Sequence, residues 1–170
     1  MTARPIVLAP DPVLKTKAKP VPQVDDRVRA LMQDMLDSMY EHQGVGLAAN
    51  QIGVLDRVLV MDVAPKDTPP QPMKMANPEI VAKSDETAVN QEGCLSIPDH
   101  YADVERPARV TVRYLDENNE QKTLEADGWL AVCVQHEIDH LDGVLFVDHL
   151  SALKRNMILR KMTKLKRNQD

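Results

Sequence analysis

A chain of 170 residues, 43% hydrophobic and 28% charged, has the size and composition of one soluble globular domain spanning 1–170. Two cysteines and a net charge of −5 exclude a disulfide-stapled scaffold and a uniformly basic polyanion binder. No apolar run approaches a membrane span, and the Met1-Thr2-Ala3-Arg4-Pro5 start has no apolar leader, so a cytoplasmic protein without DNA or membrane partners is expected.

Residues 6–24 begin with a short apolar run and then carry Pro10, Pro12, Pro20 and Pro22, which predicts an extended or turning stretch wrapped over the surface. From Asp25 the period becomes helical. Val28, Leu31, Met32, Met35, Leu36 and Met39 recur at three and four, with Asp25 or Asp26 as N-cap and an end near His42 or Gln43, before Gly44. The block Gly44-Val45-Gly46-Leu47-Ala48-Ala49-Asn50-Gln51 follows. Its paired glycines permit close approach of another backbone, and an amide at Gln51 in so apolar a stretch needs a partner or a ligand. A helix C-cap followed by a buried turn is the plainer reading of the same residues.

Residues 57–63 read as a strand, 64–72 with their four prolines as an exposed loop, and 73–76 and 78–83 as two shorter strands broken at Asn77-Pro78. A polar stretch, 84–90, leads into Gln91-Glu92-Gly93-Cys94-Leu95-Ser96-Ile97-Pro98. Residues 109–115 and 121–125 form a hairpin around Asp116-Glu117-Asn118-Asn119, so the sheet is expected to be largely antiparallel. Asp127 is the expected N-cap of the next helix. Its first residues, Trp129-Leu130-Ala131-Val132-Cys133-Val134, are apolar on all sides, which predicts a buried helix that stops at Gly143.

That helix continues into Gln135-His136-Glu137-Ile138-Asp139-His140. Histidines four apart share one face about a turn from each other, with Glu137 at its edge: a candidate metal chelate with a base attached. Burial sharpens the reading, because ionisable groups in a dry interior must be paired or metal-bound. A hydrolytic centre wants a third ligand and an open position. Cys94 meets that need, whereas Cys133, three residues before His136 on the same helix face, would close the set into a four-ligand structural site. Glu137 beside the ligands and the lack of a close cysteine pair favour the open site; the closed site stands as the alternative.

The three blocks resemble, in the same order, the G-x-G-x-A-A-x-Q, E-G-C-x-S and H-E-x-x-H motifs of the bacterial peptide deformylase family, and the likeness extends over nearly the whole chain. With the elements above, it implies an α+β fold. Mainly antiparallel sheets would pack around a buried central helix carrying H-E-x-x-H, with an N-terminal helix and an amphipathic C-terminal helix. The resemblance implies Cys94, His136 and His140 as ligands of Fe2+, which Zn2+, Ni2+ or Co2+ can replace. It implies Glu137 as the base that takes a proton from the attacking water and returns it to the departing amine, and Gln51 and the Leu95 backbone N–H as oxyanion donors. The substrate would be an N-formylmethionyl nascent peptide and the product formate. Its backbone would lie as an added strand beside Val45, Gly46 and Gly93, with the methionine side chain against Trp129, Val132 and Cys133. Cys133 is then pocket wall, and Trp129 is bulkier than the aliphatic residue expected there. Arg106 is expected to pair with Glu92.

Residues 151–170 hold seven Lys and Arg against Asp170 alone, a local +6 that leaves −11 for the first 150 residues. Leu153, Met157, Ile158, Met162 and Leu165 recur at helical spacing, predicting an amphipathic helix with a cationic face. A solvated face is the plain reading. The resemblance implies instead that this helix docks a monomeric enzyme on the ribosome near the exit tunnel, through attraction to ribosomal RNA.

Overall fold

The computed structural model describes residues 3–169; Met1 and Thr2 of the polar start and Asp170 of the basic tail lie outside them. Among the described residues, α1 (Asp26–Glu41) precedes β1 (Gly46–Ala48), β2 (Val58–Met61), β3 (Met73–Lys83), β4 (Thr87–Cys94) and β5 (Ile97–Pro107). Then come β6 (Arg109–Leu115), β7 (Gln121–Asp127), α2 (Gly128–Leu141) and α3 (Ala152–Gln169). The fold is α+β. Five strands form one antiparallel sheet in the order β1-β2-β3-β6-β7, and β4 and β5 form a separate antiparallel ribbon.

β2 explains how the layers assemble. It is buried on both faces, so its alternating side chains serve two different cores. Val58 and Val60 face α1, packing with Val28, Leu31, Met32, Met35, Leu36 and Met39, while Leu59 and Met61 face α2, packing with Ala131, Cys133, Val134, Ile138 and Leu141. The sheet is thus sandwiched between the N-terminal helix and the histidine-bearing helix. α1 starts as its residues predict, with the Asp25 carboxylate accepting from the Val28 N–H at 3.0 Å.

Several local expectations are corrected. Residues 73–83 form one strand, not two. Asn77 adopts a left-handed φ of 49° inside a register shift between Ala76 and Glu79, and its side chain bonds both the N–H and the C=O of Val21, so the Asn77-Pro78 pair bulges the strand without ending it. The stretch read as polar connection, 84–90, is largely β4. It was hidden because the β4–β5 ribbon offers no continuous apolar face: Glu92 is the one buried residue of β4. Residues 6–24 do not merely wrap the surface, since Ala9, Leu14, Ala18, Val21 and Val24 are buried and a 3-10 turn forms at Pro12–Lys15. Asp127 stands at the N-cap of α2 but makes no side-chain cap bond.

The C-terminal helix keeps only part of its predicted stripe. Ile158 and Met162 are buried against Leu14, Ile97, Val104 and Phe146, while Leu153, Met157 and Leu165 are exposed. No helix among the described residues is long and apolar enough to cross a membrane.

The N-terminal segment also seals the C-terminal end of α2. Ala18 N–H donates to the Leu141 carbonyl at 2.8 Å, and Gly143, at φ 77°, sits so close to the chain that a Cβ there would lie 2.6 Å from the Lys15 carbonyl oxygen. Gly53 has a similar φ of 81° with open space around it. Gly53→Ala is therefore expected to cost about 1 kcal/mol of backbone strain, and Gly143→Ala about 2–3 kcal/mol or more because backbone must also move. Urea unfolding of the two variants measures the difference, and equal costs would show that the seal on α2 is loose.

Candidate metal centre

α2 carries its polar residues into the interior: Gln135, His136, Glu137 and His140 are all buried. Buried polar groups call for partners, and most of those found here come from distant parts of the chain. Gln135 donates its amide to the Pro107 and Ala131 carbonyls, each at 3.0 Å. His136 Nδ1 lies 2.9 Å from Glu92 Oε1, so a ring N–H donated to that carboxylate leaves the Nε2 lone pair facing inward. That Nε2 is 3.1 Å from His140 Nε2, which in turn is 3.3 Å from Cys94 Sγ.

One donor atom from each of Cys94, His136 and His140 thus lies within 4.8 Å of the others. The set fits a metal on chemical and metric grounds. A four-coordinate ion with two imidazole nitrogens and one thiolate sulfur at usual bond lengths spaces N from N by about 3.3 Å and N from S by about 3.6 Å. The observed edges are close to both. Three bases gathered this tightly with their lone pairs converging repel one another unless a proton or a cation sits between them. Cys133, the rival ligand, is not part of the cluster: its Sγ points to the Val45 carbonyl at 3.7 Å. Burial, with Glu137 and Glu92 nearby, pushes its thiol well above the usual range, which keeps it neutral.

The β4–β5 ribbon, which the sequence pattern concealed, delivers Cys94. Cys94 pairs with Ile97 across a two-residue turn, and a register irregularity between Glu92 and Cys94 falls at Gly93. Its sulfur accepts from the Ser96 backbone N–H and from Gln51 Nε2, both at 3.4 Å, which fixes its position beside His140. Gln51 is held further: its Nε2 also donates to Ser96 Oγ at 3.1 Å, and its Oε1 accepts from the Ala48 N–H at 3.0 Å. Asn50 donates its amide to the His140 carbonyl, tying the glycine-alanine block to α2.

Electrostatics divide the carboxylates. Burial would raise Glu92, yet hydrogen bonds from Arg106 and His136 hold it down at about 2. Burial pushes Glu137 the other way, to about 7, with the Glu92 charge adding to the rise and His136 opposing it. Its Oε1 is buried with no hydrogen-bond partner, the condition of a group kept ready to exchange a proton. Burial presses His140 well below the usual histidine range, which keeps a neutral ligand. The same burial acts on His136, but hydrogen bonds to Cys94 and Glu92 outweigh it and raise that ring; a cation at Nε2 would displace the proton.

A cleft of about 540 Å³ opens on this centre. Val45, Gly46, Gln51, Gly93, Cys94, Leu95, Trp129, Val132, Cys133, His136 and Glu137 all line it, whereas His140 lies behind. Gly46 is required by contact, since a Cβ there would sit 2.5 Å from Glu137 Oε2 and 3.0 Å from Cys133 Sγ. Trp129 stands at the rim, half exposed. Tyr101, which the sequence reading passed over, also lines the cleft, its ring covering Gly93 so closely that a Cβ would lie 2.6 Å away. Also overlooked were Asp139 and His149, which join the expected Arg106–Glu92 pair: Arg106 bonds Glu92 through Nε and Nη2 at 2.6 and 2.9 Å and Asp139 through Nη1 at 2.7 Å. Only the residues flanking Arg106 in space, invisible to a linear pattern, reveal that role.

Arg106 is buried between two carboxylates, so Arg106→Met is expected to cost about 3–5 kcal/mol by stranding both charges, although the apolar volume is kept. Denaturant unfolding checks this. A loss under 1 kcal/mol would mean that water already screens the pair.

Residues 3–156 match the polypeptide deformylase family. The chain is 54% identical over 167 residues to a peptide deformylase of Agrobacterium fabrum, covering 98% of both chains, and 52% identical to that of Rhizobium meliloti, covering 96% of this chain and 94% of the relative. The crystal structure of the Ehrlichia chaffeensis peptide deformylase in complex with actinonin superposes with a TM-score of 0.94 at 42% identity, covering 98% of this chain and 99% of that one. At this identity over nearly full length, and with the fold shared, the chain belongs to the polypeptide deformylase family.

Proposed function

We propose that residues 1–170 act as a single catalytic domain in which Cys94, His136 and His140 hold the metal, physiologically Fe2+ and replaceable by Zn2+, Ni2+ or Co2+. Metal-dependent removal of the N-terminal formyl group is the general activity of the family, and the chain is an amide hydrolase of that class. The substrate is the formylmethionine end of newly made peptides and the products are formate and a free amine. The observation that carries the assignment of roles is the juxtaposition of three converging ligand atoms with a buried, unpartnered carboxyl oxygen on Glu137 at the floor of a cleft.

When bound, the metal supplies Lewis acidity, making water a nucleophile at neutral pH and polarising the formyl oxygen. Glu137 Oε1 accepts the proton of the attacking water as its oxygen bonds to the formyl carbon. The same carboxyl then gives that proton to the amide nitrogen as the C–N bond breaks. A carboxyl pushed up to about 7 by burial suits both halves of this exchange. Gln51 Nε2, oriented by the Ala48 N–H on its other atom, and the Leu95 backbone N–H stabilise the developing oxyanion. The peptide lies as an added strand beside Val45, Gly46 and Gly93, and its methionine side chain packs on Trp129, Val132 and Cys133.

The enzyme acts as a monomer in the cytoplasm, on nascent chains at the ribosome. Lys154, Lys161 and Lys164 are exposed on α3 and form the cationic face for ribosomal RNA. Ile158 and Met162 help fill a core, so charge reversal tests this better than deletion of the helix. Changing the three lysines to glutamate is expected to weaken ribosome binding by at least about tenfold at low salt while a short formylated peptide is still hydrolysed. Unchanged binding in cosedimentation would refute the docking.

The activity itself is tested by formate release from a formyl-methionyl peptide under anaerobic conditions, with metal content measured in parallel. Glu137→Gln is expected to retain the metal and lose turnover by at least about a hundredfold. Turnover within a few-fold of wild type would remove Glu137 from the reaction.

A further inference from the structure

Behind the ligands runs a chain of hydrogen bonds that ends near the surface on a residue with no part in the reaction. Asp139 Oδ2 accepts from Arg106 Nη1 at 2.7 Å and from His149 Nε2 at 2.9 Å. Arg106 clamps both oxygens of Glu92, and Glu92 Oε1 holds His136 Nδ1 at 2.9 Å. His149 closes the 3-10 turn Phe146–His149, whose first residue, Phe146, lies stacked along His136 with ring centroids 6.3 Å apart and planes 24° from parallel. A single four-residue turn therefore bears on His136 twice, through the Phe146 ring and through a relay of three side chains.

The geometry gives each link a task. Arg106 can hold its guanidinium in one plane only while carboxylates occupy both of its edges. Glu92 is fully enclosed, but the Asp139 side chain is 26% exposed and is open to competition from water. The His149 N–H is what opposes that competition, since it and Arg106 share the same Asp139 oxygen and fix one orientation of the carboxylate. Without it, Arg106 loses its anchor on one edge and Glu92 is no longer held rigidly against His136.

We propose that His149 is a positioning residue for the metal centre, holding Asp139 so that Arg106 and Glu92 keep the His136 imidazole aimed inward through Nε2. The proposal rests on the assignment of Cys94, His136 and His140 as metal ligands. Because His149 is itself exposed, its hydrogen bond adds little to global stability, and its effect on the centre is separable from its effect on the fold.

The test uses the full-length chain loaded with Zn2+ for NMR of the His136 Nδ1–H and with Co2+ for visible spectra. His149→Phe keeps the ring and loses the donor. Removing a direct hydrogen-bond partner of a ligand typically weakens metal binding about 10- to 100-fold, so a loss relayed through Asp139 and Arg106 is expected to speed metal release by roughly threefold to tenfold. The His136 Nδ1–H resonance and the Co2+ bands should shift, and kcat should fall with KM unchanged. His149→Gln, whose amide N–H can take the place of the ring N–H, is expected to restore all of these. If His149→Phe fails to fold, His149→Asn, whose amide is too short to reach Asp139, replaces it with the same expectations. Spectra and release rates matching wild type in the donor-free variant would overturn the proposal, as would equal disturbance in the donor-free and Gln variants, which would report packing of the turn alone. Failure of the wild-type chain to take up metal would instead overturn the ligand assignment, and the positioning role with it.

Discussion

A helix that carries two imidazoles, a carboxyl and an amide into a protein interior, with a second carboxylate at its margin, imposes a need for partners on everything around it. Leaving a buried polar group unsatisfied costs about 1–3 kcal/mol, and more for a charge, so α2 can be buried only if the rest of the chain supplies donors and acceptors at the right places. The supply is visible element by element. β4 brings Glu92 to His136 and, at its last residue, Cys94 to His140, while β5 brings Arg106 to both Glu92 and Asp139 and ends on the Pro107 carbonyl that takes Gln135. The small two-stranded ribbon lends Ile97 and Val104 to the core under α3, and it is also the source of those partners.

α2 leaves two buried side-chain atoms without a hydrogen-bond partner, His140 Nδ1 and Glu137 Oε1, and the second has an electrostatic consequence. Glu137 Oε1 has no partner, and the same burial that makes this costly raises its carboxyl to about 7. The space for it is kept by Gly46, where any side chain would strike the carboxylate. Neighbouring Glu92 has the opposite fate at similar depth, because Arg106 and His136 hold it ionised. Two buried glutamates thus behave differently: one is held as an anion against His136, the other is pushed toward its protonated form. Their difference lies in their neighbours rather than in their depth.

Much of the site was legible in the linear chain. Histidines at i and i+4 can only share a helix face, the apolar run before them required that helix to be buried, and burial required a further partner. α1 was equally plain, because Val28, Leu31, Met32, Met35, Leu36 and Met39 mark one face. The β4–β5 ribbon was not, since most of β4 faces solvent and the inward positions of β5 mix His100 and Arg106 with Ala102 and Val104, which leaves no apolar stripe to read. Nor could the sequence distinguish Asn77-Pro78 as a bulge from a strand end, which depends on the bonds that Asn77 makes to Val21 across the fold.

By itself, then, the sequence determined the elements whose periodicity is set by one buried face, the antiparallel hairpin, and the candidate ligands, because those follow from spacing along a single helix or from local composition. Only the tertiary structure decided between the two cysteines. Cys133 shares the helix with the histidines, as spacing requires, but its sulfur points to the Val45 carbonyl, and Cys94 reaches the cluster from a ribbon more than forty residues away along the chain. Likewise Arg106, Asp139 and His149 acquire their relation to His136 only when β5, α2 and the turn before α3 come together. Direction and distance between side chains on separate elements are products of packing, and no one-dimensional pattern contains them.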